Sequence, residues 1–165
     1  MDKIYNYDHY LGLNIDFSKI VNSTLDLKPG SILCIDNDDI DKLDNFINEA
    51  LKKNVDKILT NSKSKISNEK VYRFEDYQKV FEDILYNINP TYKDKTYFGI
   101  TGTNGKTTTA YLLSSLLGDS SIFVGTIDED NLFQFTNEEH LTTPKLFNLV
   151  KMLSLVDKNK SNVVL

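Results

Sequence analysis

Gly102 and Gly105 stand three residues apart, and Lys106 follows at once with Thr107, Thr108 and Thr109 behind it. Glycine adopts backbone conformations that other residues resist, so two of them this close let several N–H groups turn toward one point. A lysine beside them adds a full positive charge. The hydroxyl of Thr107 offers a ligand to a hard cation. Amides, ammonium and hydroxyl converging in this way suit a polyphosphate carried with Mg²⁺. The general phosphate loop G-x-x-x-x-G-K-[ST] would place its first glycine at position 100, which is Ile here. Gly102 instead gives a shorter G-x-x-G-K-T-T loop.

The elements that must hold this loop are legible on both sides of it. Tyr97, Phe98 and Ile100 form an apolar run before it, and residues 110–117 are rich in alanine and leucine. The order is strand, tight loop, helix. Such a helix turns its unpaired N–H groups and positive dipole end toward the same point as the loop amides. Gly102, Thr103, Asn104, Gly105, Lys106, Thr107 and Thr108 are therefore the candidate phosphate-binding residues.

The run GTNGKTTT at 102–109, after an apolar strand, resembles the ATP loop of the Mur ligases, which build the peptide of bacterial cell-wall precursors. That family also uses the shortened loop. The motif by itself is shared with folylpolyglutamate and cyanophycin synthetases, so two further stretches carry the distinction. Asn22-Ser23-Thr24, followed by Lys28-Pro29-Gly30, is similar to the family's Asp-Ser-Arg and Lys-Pro-Gly turn, although Asn22 and Thr24 replace its Asp and Arg. Gly125-Thr126 followed by Thr142-Thr143-Pro144 resembles the pattern of the members that add the third peptide residue.

The resemblance implies an ATP-dependent ligase that activates the carboxylate of UDP-N-acetylmuramoyl-L-alanyl-D-glutamate and joins it to a diamino acid. It implies ATP and Mg²⁺ as cofactors, Lys106 as the catalytic residue and Thr107 as the metal ligand. Ser23, Thr142 and Thr143 are the implied substrate-binding residues. The family's further Mg²⁺ carboxylates, a carbamylated lysine and an amino-acid-binding domain lie downstream of the motifs present here. These 165 residues are thus expected to be an N-terminal portion that does not ligate alone. A nucleotide-binding paralogue without catalysis is the alternative. A kinase or GTPase with an unrelated phosphate loop is disfavoured, since Asn159-Lys160-Ser161-Asn162 departs from the guanine-reading Asn-Lys-x-Asp.

Composition narrows the partners. The formal charge is −5 at pH 7, leaving no basic stripe for a nucleic acid. No apolar run approaches the roughly 20 residues of a membrane span, and the first ten residues have no signal-peptide core. Cys34 is the only cysteine, which excludes an internal disulfide. A cytoplasmic monomer is expected. Asp128, Glu129, Asp130, Glu138 and Glu139 read as a solvated acidic loop, and His140 as an ordinary surface histidine.

The apolar periodicity predicts an α/β chain of two parts. Residues 1–90 form a small substrate domain, and residues 95–165 begin a parallel-sheet ATPase domain. In the first part, strands are expected at 31–35, 55–60 and 71–74. Helices are marked by Ile40, Leu43, Phe46, Ile47, Ala50 and Leu51, capped from Asn37–Asp39, and by Tyr77, Val80, Phe81, Ile84, Leu85 and Ile88. Tyr5, Tyr7, Tyr10 and Leu11 should pack on the sheet. Residues 89–95 read as a linker. In the second part, strands are expected at 95–101, 121–126 and 162–165. A helix through Leu146, Leu149, Val150 and Leu153 should have Pro144 in its first turn and Thr143 as its cap. The final strand has no later element to cover it.

Overall fold

The computed structural model describes residues 3–125, 144–156 and 159–165. It divides into two compact units, Met1–Asn87 and Ile88–Leu165.

The first unit is built on five parallel strands: β1 (Ile4–Tyr5), β2 (Ile20–Val21), β3 (Ile32–Ile35), β4 (Lys57–Asn61) and β5 (Val71–Phe74). Their order across the sheet is β1-β5-β4-β3-β2. Parallel strands need both faces covered, and the helices α1 (Tyr7–Leu11), α2 (Ile40–Lys52) and α3 (Tyr77–Ile88) supply the cover. Asp39 caps α2 by accepting from the Lys42 N–H at 3.2 Å, as its side-chain type predicts. Leu43, Ile47 and Ala50 then meet Leu33, Ile35 and Ile58 on one face of the sheet. Cys34, alternating with Leu33 and Ile35, points to the other face, where its thiol lies 3.0 Å from the Tyr77 hydroxyl of α3.

Strands β1 and β2 lie in the stretch where the sequence shows no pattern. Two residues are too few to display alternation, and pairing with β5 and β3 decides their state. Tyr10 is buried as expected, with its hydroxyl donating to Asp83 at 2.8 Å, and Tyr5 packs against Phe74. Leu11 does not follow them. It is 60 % exposed, because α1 is a short helix that buries only Tyr10.

Burial pushes the Cys34 thiol up from 9.0 to about 12, with nearby Asp36 adding to the rise and the Tyr77 hydroxyl opposing it. Burial likewise raises Tyr10 and Tyr77. An acid whose folded pKa lies above its unfolded value stabilises the fold fully below the unfolded pKa and loses that contribution as pH climbs to the folded one. The urea midpoint of this unit should therefore be flat to pH 9 and then fall, by about 1.4 kcal/mol of stability per pH unit from the thiol alone. A thiol reagent at pH 8 should leave Cys34 unmodified until denaturant is added. Prompt native-state labelling would contradict the burial.

The second unit contains β6 (Thr96–Phe98), α4 (Lys106–Leu117), β7 (Ser121–Phe123), α5 (Leu146–Ser154) and β8 (Asn162–Val164). The three strands are parallel in the order β6-β8-β7. The last strand is thus the central one, and it is covered after all. Val163 packs with Ile122, Leu149, Met152 and Leu153 on the α5 side. Val164 packs with Ala110, Phe123 and Leu113 on the α4 side. The expected uncovered strand is corrected by strand order, which apolar runs alone do not encode.

Two boundaries also differ. Residues 89–95, expected as a linker, carry the buried Asn89 and Tyr92 and a 3₁₀ turn at Tyr92–Asp94. The N-cap of α5 is Lys145, extended at φ −62° and ψ 151°. Pro144 therefore stands before the cap rather than in the first turn, and Thr143, the expected cap, lies outside the described residues. The face of α5 is broader than its spacing suggests. Phe147, Asn148, Leu149, Val150, Met152 and Leu153 are all buried, whereas Leu146 is exposed.

Candidate functional site

The residues of the expected phosphate loop follow β6 directly, and the ladder of the sheet runs up to the loop's entrance. Ile100 N–H donates to the Leu165 carbonyl at 2.9 Å, and Leu165 N–H donates to the Phe98 carbonyl at 2.8 Å. The chain then leaves the carboxyl end of the parallel sheet, the edge at which open α/β sheets bind ligands. Gly102 has φ +154° and Gly105 has φ +75°. The left-handed conformation at Gly105 ends the loop and makes this residue the N-cap of α4. A Cβ there would meet nothing within 4 Å, so any other residue is penalised by backbone strain alone, about 1–2 kcal/mol.

Among the described residues, no backbone carbonyl accepts from the N–H groups of Thr103, Asn104 or Gly105. The first turn of α4 adds the N–H groups of Lys106 and Thr108, which by helix geometry have no intrahelical acceptor. Thr109 N–H is the first to find one, the Gly105 carbonyl at 2.9 Å. No side chain caps this helix. Residues 101–105 are exposed, and Lys106 and Thr107 are half-buried. The Lys106 ammonium folds back over the loop and donates to the Gly102 carbonyl at 2.6 Å. Exposed donors and a positive charge thus share the short stretch from Gly102 to Thr108, a combination that suits a phosphate chain.

Thr107 is the second residue of α4. Magnesium brought in with a nucleotide keeps most of its ligands as phosphate and water, so one protein hydroxyl fits it. No group of three or more His, Cys, Asp or Glu gathers among the described residues.

Ser23 lies in the first unit. Its hydroxyl accepts from the Leu25 N–H at 3.2 Å and caps the 3₁₀ turn Thr24–Asp26. The turn is tied down by Lys53, whose ammonium donates to the Thr24 carbonyl at 2.7 Å. A cavity of about 530 Å³ in the same unit is lined by Asn14, Asp16, Lys19, Gly30, Asp56 and Lys57, without Ser23. Its charges close on one another, Lys19 on Asp16 at 3.2 Å and Lys57 on Asp56 at 2.6 Å. Thr126, the five acidic residues at 128–139, His140, Thr142 and Thr143 lie outside the described residues.

Gly125 is explained by packing. A Cβ there would come within 2.6 Å of the Phe123 ring, which folds over the end of β7 and meets Tyr111 edge-on. Only the absence of a side chain allows that fold. One further residue escaped the sequence pattern. Asn148 of α5 is 3 % exposed, and its carboxamide nitrogen has no hydrogen-bond partner. A polar side chain between Phe147 and Leu149 was the available signal.

Comparison with known proteins places these features in context. Residues 100–165 match the Mur ligase middle domain. The chain is 37% identical over 130 residues to UDP-N-acetylmuramoyl-L-alanyl-D-glutamate--2,6-diaminopimelate ligase 1 of Clostridium acetobutylicum, covering 76% of this chain and 27% of that relative. It is 31% identical over 128 residues to the diaminopimelate ligase of Fusobacterium nucleatum, covering 73% of this chain and 25% of the relative. The chain thus spans about a quarter of the length of these curated relatives. A MurF ligase from Thermotoga maritima, solved in complex with ADP, superposes with a TM-score of 0.51 at 16% identity, over 91% of this chain and 32% of that one. At that identity the likeness speaks for the fold.

Proposed function

Because the chain belongs to the Mur ligase family, with residues 100–165 matching its middle domain, we propose that it serves an ATP-dependent ligase of cell-wall precursor synthesis. The reaction joins a diamino acid, 2,6-diaminopimelate in the named relatives, to UDP-N-acetylmuramoyl-L-alanyl-D-glutamate. The observation that carries the proposal is the loop from Gly102 to Thr108, with the Lys106 ammonium over its mouth.

In this chemistry ATP phosphorylates the free carboxylate, the amine attacks the acyl phosphate, and phosphate leaves. Two anions must meet in the first step, so electrostatics carry it. Lys106 and the amides of Thr103, Asn104 and Gly105 hold the phosphate chain and neutralise the charge that gathers on the transferred group. Magnesium, held by Thr107, would neutralise charge on the phosphate oxygens. Thr142 and Thr143 are proposed to contact the muramoyl-peptide substrate, and Ser23 its uridine end.

A non-catalytic nucleotide-binding role is the second possibility. The engagement of the Ser23 hydroxyl as a cap favours it, together with Asn22 and Thr24 where the family has Asp and Arg. A thermal-shift titration separates the two, since a ligand specific to the folded state raises its apparent stability by about 2.7 kcal/mol at a hundredfold excess over Kd. Mg·ATP and UDP-N-acetylmuramoyl-dipeptide should each raise the melting temperature. A response to Mg·ATP alone would leave the nucleotide-binding role, and silence to both would remove the loop's function.

A further inference from the structure

Asn104 is the only asparagine of the chain that is followed by glycine. Asparagine is chemically labile because the backbone nitrogen of the next residue can attack its side-chain carbonyl carbon. A Cβ on that next residue hinders the approach, and glycine has none. Position 104 is exposed, and beyond its chain neighbours nothing stands within 4 Å of where a Cβ of Gly105 would lie. Among the described residues no hydrogen bond engages the Asn104 carboxamide or the Gly105 N–H. Asn61, which precedes a serine, is the contrast. It is buried, its amide nitrogen donates to Asp36, and its oxygen accepts from the Lys63 N–H at 2.9 Å.

The electrostatics of the loop favour the same attack. The nitrogen must first give up its proton, and nearby positive charge stabilises the amide anion that results. Gly105 is the N-cap of α4, at the positive end of the helix dipole, and the Lys106 ammonium lies over the loop on the Gly102 carbonyl at 2.6 Å. The donors that suit a phosphate thus also suit an anion formed within the loop itself. We propose that Asn104 is a site of spontaneous deamidation in the chain without nucleotide, and that the change removes the loop's affinity for polyphosphate. The second half rests on the phosphate-binding role proposed for Gly102 to Thr108.

In the first step the Gly105 nitrogen, deprotonated by hydroxide from solvent, bonds to Cγ of Asn104. The Cγ–Nδ2 bond breaks, and the leaving nitrogen takes a proton from water to depart as ammonia, which closes a succinimide ring. Water then adds to either ring carbonyl. Opening at Cγ gives aspartate, and opening at the main-chain carbonyl gives isoaspartate, with an extra methylene in the backbone. The acid formed gives its proton to ammonia. Either product carries a carboxylate where the chain had a neutral amide, and repels a phosphate held by the adjacent N–H groups. A bound phosphate acts the other way, since it takes the Gly105 N–H as a donor and its charge disfavours the amide anion.

The test incubates the chain in mildly alkaline buffer and follows residue 104 by peptide mass spectrometry, alone, with saturating Mg·ATP, and unfolded in urea. In the native chain, Asn104 should convert to a mixture of aspartate and isoaspartate while Asn61 stays intact, and Mg·ATP should slow the conversion severalfold. The converted chain, and separately Asn104→Asp, should bind Mg·ATP at least about tenfold more weakly than fresh chain in calorimetry. Asn104→Gln, whose longer side chain closes a ring far more slowly, should keep its amide. An Asn104 amide that survives in the native chain while the urea-unfolded chain converts would overturn the proposal. So would unchanged Mg·ATP affinity after full conversion. Conversion in a fresh chain that gives no thermal response to Mg·ATP would uphold the deamidation site and overturn its link to nucleotide, which keeps the two failures distinct.

Discussion

Lys106→Met is expected to weaken Mg·ATP binding by roughly 10- to 100-fold, measured by calorimetry, with the melting temperature of the empty protein unchanged. A hydrogen bond to a charged group contributes about 1.5–3 kcal/mol, and each 1.4 kcal/mol is a factor of ten. In the empty chain the ammonium is bonded to the Gly102 carbonyl at 2.6 Å in an exposed setting. Losing that contact frees a carbonyl that water can satisfy, so stability is spared while binding suffers. Methionine keeps the length and apolar stem of the side chain and removes only the charge. Lys106→Arg should not restore full affinity, because a planar fork cannot replace a point charge over a loop this short. Affinity unchanged in the methionine variant would mean that the phosphates lie elsewhere.

The strand, glycine loop and helix around Lys106 were legible in the sequence because each part is a residue type with a local duty. Gly105 sits at φ +75°, where glycine is favoured, and Lys106 opens the helix that follows. Strands β3, β4 and β5 and helices α2 and α3 were legible for a similar reason, since each buries a run long enough to show its period. What escaped depends on partners distant in sequence. The pairs Ile4–Tyr5 and Ile20–Val21 are strands only because β5 and β3 lie beside them. Leu146, expected on the buried face of α5, is exposed, and Phe147 beside it is buried. The duty of Gly125 follows from a ring two residues away that the chain could have turned elsewhere. Asn148 shows in the sequence only as a polar side chain between Phe147 and Leu149, and its burial comes from the packing of α5.

The position of β8 has a second large consequence: Val163→Asp should unfold the second unit while leaving the first intact. Val163 is fully buried between Ile122, Leu149, Met152 and Leu153, and no cation of that cluster stands ready to pair with a carboxylate. Burying an unpaired charge costs several kcal/mol, against a typical total stability of about 5–15 kcal/mol for a whole domain. The strand also carries the only hydrogen-bonded ladders of its two neighbours among the described residues. β6 and β7 each pair with β8 and not with each other. Thr96, Ile100 and Val124 all donate to carbonyls between Ser161 and Leu165 at 2.8–2.9 Å. Without that strand, no backbone ladder joins the two, and only the packing of α4 remains between them. Amide hydrogen exchange should then show protection lost through residues 96–124 and 146–154, with β3, β4 and α2 still protected. The proposed phosphate loop is anchored at Ile100 on Leu165, so Mg·ATP binding should vanish with the sheet. Full protection of β6 and β7 in the Val163→Asp chain would show that the sheet is held by something other than its central strand.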